Sequence, residues 1–153
     1  MRRLELLVPP PLVMLMTGLL MWLLSKTFPV LTLSWPGGAM TGLVLSLLGV
    51  AISLAGVAAF KRAGTTIDPK HPVEATSLVS VGIYRYSRNP MYLGVLFVLV
   101  GWAFYLSHML SALCVLFFIA YITRYQILPE ERLLQEKFGV AFLTYKGRVR
   151  RWL

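Results

Sequence analysis

Residues 88–124 read RNPMYLGVLFVLVGWAFYLSHMLSALCVLFFIAYITR, and between the two terminal arginines lie 35 consecutive residues without a formal charge. As one α-helix that run would be about 52 Å long, well over the ~30 Å hydrocarbon core of a bilayer. Two helices in a tight hairpin are the better solution. Ser107-His108 is the polar pair in the middle of the run and sets the turn, giving spans of about 91–106 and 109–128. His108 is then expected to be a solvated turn residue and not a metal ligand, because no second His lies near it in sequence.

Upstream, Leu6 to Leu24 carries no charge, and Pro9, Pro10 and Pro11 suit a first helical turn, so a first span is expected over roughly 10–28. Met1-Arg2-Arg3 before an apolar stretch resembles a signal peptide superficially, but the prolines interrupt it and no small-residue cleavage site follows; a retained span is the expectation. Trp35-Pro36-Gly37-Gly38 reads as an interfacial turn, and Ala39 to Phe60 supplies 22 uncharged residues for a span over 39–60. That span bears Gly42, Ser46, Gly49, Ser53 and Gly56 on one helix face, a spacing that lets two backbones approach closely in lipid. The face suits either a homodimer interface or packing against a neighbouring span of the same chain.

The composition agrees with a membrane protein. Of 153 residues 58% are hydrophobic and 14% charged, outside the range of ordinary soluble domains, and the chain is expected to form one domain over 1–153. A net charge of +9 raises nucleic acid as a partner, but the basic residues flank apolar spans and make no folded basic face, so membrane topology explains them first. Lys61, Arg62, Lys70, Arg85 and Arg88 follow span two, and Arg132, Lys137, Lys146, Arg148, Arg150 and Arg151 follow span four, whereas Lys26 is alone on the other side. By the positive-inside rule both termini and the long loop 61–90 face the cytoplasm. Cys114, the single cysteine, sits inside an apolar run and permits no intrachain disulfide.

Two polar clusters thus fall on one face. In the first, Tyr84, Arg85, Tyr86 and Arg88 precede Asn89-Pro90, a strong helix start with Asn able to cap and Pro favoured in the first turn; Tyr92, Leu93 and Gly94 follow. Tyrosine offers a ring face and a hydroxyl, and glycine permits close approach of a flat ligand, although Tyr and Arg also serve as plain interfacial anchors. In the second, Arg124 lies about one turn inside the span boundary, where a charge needs a partner, a snorkelling route or an anionic ligand. Pro129 is expected to open a new helix with Glu130 and Glu131 in its first turn. From Leu133 to Tyr145 apolar and polar residues alternate at helical spacing, as in an amphipathic interfacial helix, with Arg148, Arg150, Arg151 and Trp152 as its anchor.

Taken together, Gly82-x-Tyr84-x-x-x-Arg88-Asn89-Pro90-x-Tyr92-x-Gly94, then Glu130-Glu131-x-x-Leu134-x-x-x-Phe138-Gly139, then Tyr145 and Val149-x-Arg151-Trp152, resemble the integral membrane methyltransferases related to isoprenylcysteine carboxyl methyltransferase and the phospholipid N-methyltransferases. The resemblance covers roughly the last 90 residues. It implies an all-α membrane fold of four transmembrane helices with a C-terminal amphipathic helix, and an enzyme using S-adenosyl-L-methionine. It further implies cofactor binding by Arg88, Asn89, Pro90, Tyr92, Leu93, Gly94, Glu130, Glu131 and Tyr145, with Arg85 and Arg124 as catalytic residues orienting an anionic substrate headgroup, and no metal. Asn89 stands where many relatives have His, and the G-x-G that the phospholipid branch carries near the third span is absent. No G-x-G-x-x-G follows a strand, so the soluble nucleotide-binding route to this cofactor is excluded.

The expected partners are the lipid bilayer and an apolar or amphiphilic methyl acceptor, in a prokaryotic inner membrane with the site facing the cytoplasm. Two other readings stand beside this one. Sterol reductases resemble these methyltransferases in their C-terminal halves and use a nicotinamide cofactor, though four spans are few for that activity. A small transport or scaffold protein without enzymatic activity would use Arg124 only to pair with Glu130 or Glu131.

Overall fold

A computed structural model describes residues 5–64 and 78–153. The expected 61–90 loop therefore lies in part, over 65–77, outside the described residues. Among the described residues the chain is helical throughout: α1 Pro10–Thr27, α2 Gly38–Arg62, α3 Pro90–Leu106, α4 Met109–Ile122, α5 Leu128–Phe138 and α6 Val140–Arg148, with short 3-10 turns at Pro29–Leu31 and Gly82–Arg85. Three helices are long and apolar enough to cross a membrane: α1, α2, and the unbroken 30-residue run Met109–Phe138 formed by α4, a π segment and α5. The fourth apolar helix, α3, has 17 residues.

The hairpin turn falls where the polar pair placed it. Ser107 closes α3 in the left-handed conformation (φ 46°), and α4 begins at Met109. His108 differs from expectation: it is 3% exposed, and its Nε2 lies 3.0 Å from the Phe28 carbonyl. The turn after α1 folds against it, with a β-bridge between Thr32 and His108. Its imidazole ties two helical connections together, which a polar ring does best out of competing water.

Helix α2 runs antiparallel along α3, and the small-residue face is what brings them together. A Cβ on Gly42 would stand 2.5 Å from the Gly101 carbonyl, and one on Gly49 would stand 2.9 Å from both the Phe97 Cβ and the Val98 amide. Gly94 and Gly101 on α3 oppose Gly49 and Gly42 on α2, both pairs spaced by seven, the repeat that keeps a helix seam in register. The face considered for a homodimer is therefore filled by α3 of the same chain. On its other side α3 meets α1 and α4 around Val13, Met21, Leu99, Cys114, Phe118 and Ile122, and the Trp102 Nε1–H donates to the Gly18 carbonyl at 3.1 Å. Leu43, Leu47 and Leu54 of α2 and Leu113, Leu116 and Phe117 of α4 point outward, an apolar exterior suited to lipid.

Pro129 opens no new helix. Residues Thr123–Ile127 widen into a π segment, and α4 passes through it into α5. Proline lacks an N–H and its ring crowds the carbonyl four residues back, so a widened turn lets the chain continue without a break. The helix ends instead at Gly139, whose φ of 51° reverses the chain into α6. There Phe142, Tyr145 and Val149 pack with Leu78, Leu134 and Phe138.

Candidate functional site

The start of α3 is held by residues other than the one expected to cap it. The Asn89 side chain makes no capping bond; the buried Ser87 Oγ accepts the Asn89 N–H at 3.1 Å instead. The Asn89 Nδ2 donates to the Arg151 carbonyl at 3.0 Å, and the Ser87 hydroxyl donates to the same oxygen at 3.3 Å. The Arg88 amide donates to the Arg150 carbonyl at 3.0 Å. Residues 87–89 thus act as a docking strip for the C-terminal tail. Trp152 packs onto the α1–α3–α4 core and Arg151 bonds Glu131, so these two turn into the protein and do not serve as the expected surface anchor.

Beneath this strip the Glu131 carboxylate is buried between Arg88, also buried, and the half-buried Arg151. Arg88 donates from Nη2 to Glu131 Oε1 at 2.7 Å and from Nη1 to the Val149 carbonyl at 2.6 Å. Arg151 donates to the same carboxylate twice, from Nε to Oε1 at 3.1 Å and from Nη2 to Oε2 at 2.8 Å. The side chains of Arg88 and Glu131 are 9% and 7% exposed, so charge, hydrogen bonds and burial coincide here. The Arg88 Nε is buried and has no partner. Glu131 is accordingly the tie between the strip before α3, α5 and the tail.

Its neighbour Glu130 faces a different group. The Tyr92 hydroxyl donates to Glu130 Oε1 at 2.6 Å, and the Gln126 Nε2 donates to the same oxygen at 3.0 Å. Gln126 is 4% exposed and escaped the sequence reading, although its place one turn before Glu130 is a signal that could have found it. Ser87 carries no such signal, being a common residue in a turn. Tyr145 closes the assembly, its hydroxyl donating to the Tyr84 carbonyl at 2.8 Å. Burial pushes that phenol up to about 12, with the Arg88 charge pulling the other way, so it remains a donor at neutral pH.

The structure therefore brings Arg88, Asn89, Tyr92, Glu130, Glu131 and Tyr145 into one neighbourhood, with Pro90 buried in the first turn of α3. Leu93 and Gly94 are also buried, but Gly94 faces α2 at Gly49 and Ser53, so the close approach it permits is that of a helix. Arg124 stands outside the cluster. Its Nη1 pairs with Glu5 Oε1 at 3.1 Å and its guanidinium lies 5.5 Å from the Tyr125 ring centroid, so the partner expected for it comes from the N-terminal segment and not from Glu130 or Glu131. Arg85 is exposed, on the 3-10 turn that precedes the strip.

Chemically, the cluster offers a buried carboxylate with a phenol and an amide directed at it, and next to it a guanidinium with one free buried donor. That set suits a ligand carrying hydroxyls, a positive charge and a carboxylate. Residues 38–141 match the profile of a family described as phospholipid methyltransferase. Among curated proteins the chain is 31% identical over 108 residues to Protein-S-isoprenylcysteine O-methyltransferase A of Arabidopsis thaliana, covering 71% of this chain and 55% of that one. It is 33% identical over 72 residues to Protein-S-isoprenylcysteine O-methyltransferase of Saccharomyces cerevisiae, 47% of this chain and 30% of the other. It is also 44% identical over 63 residues to an uncharacterized protein of Haemophilus influenzae, 41% of this chain and the whole of that one. The chain thus spans about half, or less, of the length of the two named enzymes. No solved structure matches it significantly.

Proposed function

Since this chain belongs to the phospholipid methyltransferase family, we propose that it transfers the methyl group of S-adenosyl-L-methionine to a lipid-like or other membrane-embedded apolar substrate at the cytoplasmic face. The observation that carries the reading is the convergence of the two polar clusters, separated by one apolar hairpin, on a single buried neighbourhood at the start of α3. In this reading α3 crosses the bilayer with α2, along which it packs, making four spans with both termini on the cytoplasmic side.

The bound cofactor supplies an electrophilic methyl on a sulfonium. Displacement at that carbon needs alignment more than acid or base groups, so the residues' task is to bind and orient. Glu130, presented between Tyr92 and Gln126, is the acceptor for ribose hydroxyls or a cofactor amino group. The Tyr92 ring offers a π-face to a cation. Arg88, anchored by Glu131 and the tail, has in its unpartnered Nε a donor for a carboxylate. Asn89, Pro90 and Tyr145 frame these groups, with the tail bonded to Asn89, while Gly94 seats α3 against α2 and acts on the site only through the placement of that helix. Arg85, exposed beside the strip, is positioned to meet an anionic headgroup, and Arg124, half-exposed on the segment Thr123–Ile127 beside Glu5, is the second cation open to one.

Calorimetry on detergent-purified protein tests the first half of the proposal. Saturable binding of S-adenosylhomocysteine is expected, and its absence from protein that retains its helical structure overturns the cofactor assignment. Mass spectrometry of lipid extracts from cells with and without the protein, searched for species heavier by one methyl group, then identifies the acceptor.

A further inference from the structure

The π segment Thr123–Ile127 is the one irregular turn in a 30-residue helix, and it sits immediately before Glu130 and Glu131. One widened turn absorbs about one extra residue, which rotates everything downstream by about 100° relative to an uninterrupted α-helix. The direction in which both glutamates point therefore depends on that turn. With a regular helix neither would keep its present partners, Tyr92 for Glu130 and the two arginines for Glu131.

Residues at the other end of the chain hold the turn. Pro129 has no N–H to give to the Tyr125 carbonyl, and the Leu6 N–H donates to that oxygen at 3.0 Å. Leu6 adopts φ 57° to do so, a left-handed conformation unusual for an apolar side chain and maintained only where its surroundings demand it. The Glu5 carboxylate, 11% exposed, accepts from Arg124, at the start of the π segment, and from Arg132, one turn beyond its end. In a regular α-helix residues eight apart lie about 80° apart around the axis; with one residue absorbed by the wide turn they lie about 20° apart. One carboxylate bridges Arg124 and Arg132 side by side in the π register and not in the α register.

We propose that Glu5 and Leu6 form a clamp that selects the π register, and so position Glu130 and Glu131 in the site without touching a ligand. The clamp is a matter of helix register alone; only its affinity readout rests on the cofactor reading. The test uses the full chain in detergent, comparing wild type with Glu5→Ala, Glu5→Asp and Pro129→Ala. The last restores a donor for the Tyr125 carbonyl and so favours the regular helix. Hydrogen exchange read by mass spectrometry is expected to accelerate over 123–131 in Glu5→Ala and around Leu6 in Pro129→Ala, while α2 and α3 keep their protection. Affinity for S-adenosylhomocysteine is expected to fall at least about fivefold in Glu5→Ala and Pro129→Ala, with partial recovery in Glu5→Asp. Unchanged protection in both segments overturns the clamp, as does an affinity loss with no change in exchange. If wild type itself fails to bind the cofactor product, the proposed function falls, and the exchange comparison still decides the clamp.

Discussion

At the residue scale two adjacent glutamates have different work. Glu131 is enclosed by two guanidiniums, and breaking a buried pair by removing one charge is among the more damaging changes a fold can suffer. Glu131→Gln is expected to cost about 3–5 kcal/mol of stability, visible as an early denaturation midpoint. Glu130 instead bonds neutral groups, Tyr92 and Gln126. Glu130→Gln is expected to leave the midpoint near wild type while weakening S-adenosylhomocysteine binding; equal effects of the two substitutions on both readouts would refute the division. Tyr145 adds a pH test. Its folded pKa lies above the ordinary tyrosine value of 10, so its contribution is complete below about pH 10 and is lost as pH rises toward about 12. Stability measured across that window should decline, and less steeply in Tyr145→Phe. The pairing of Glu131 with Arg88 and Arg151 could not be read from the chain, because Glu130 and Glu131 are chemically identical and only helix phase separates them.

Among the elements, the α2–α3 seam was the more legible. Gly42, Ser46, Gly49, Ser53 and Gly56 mark a close-packing face by their spacing alone, and the spans 39–60 and 91–106 fall within a residue or two of α2 and α3. The identity of the partner was not legible, since a small-residue stripe accepts any helix that matches it, and α3 does so with Gly94 and Gly101. Gly49→Ala forces a Cβ against backbone and against Phe97, where no flexible side chain can give way. The expected cost is about 1–3 kcal/mol, measurable as a lowered thermal midpoint in detergent; a midpoint equal to wild type would show the two helices able to separate freely. The π segment was illegible for another reason. Pro129 in an apolar run signals a disturbance, and whether it produces a new helix or a widened turn depends on what satisfies the Tyr125 carbonyl, here Leu6, 119 positions upstream.

On the scale of the whole molecule, both ends of the chain return to the site. The tail bonds to residues 87–89 through the carbonyls of Arg150 and Arg151, and the N-terminal segment grips the helix before Glu130. Truncation after Val149 removes Arg151, Trp152 and the two carbonyls that receive the Arg88 and Asn89 donors, so it should both destabilise the protein and weaken cofactor-product binding, whereas truncation after Trp152 should do neither. Unaltered binding by the shorter chain would sink the idea that the tail completes the site. The sequence by itself determined the helical membrane class, the hairpin turn and the two polar clusters, because runs of about 20 apolar residues satisfy their backbone within lipid only as helices, and charges gather at the ends of such runs. Only the tertiary structure decided that His108 is buried, that Arg124 answers to Glu5, and that Glu131 locks while Glu130 stays available. Those outcomes depend on rotation about helix axes and on contacts between residues far apart in sequence, and apolar periodicity carries no record of either.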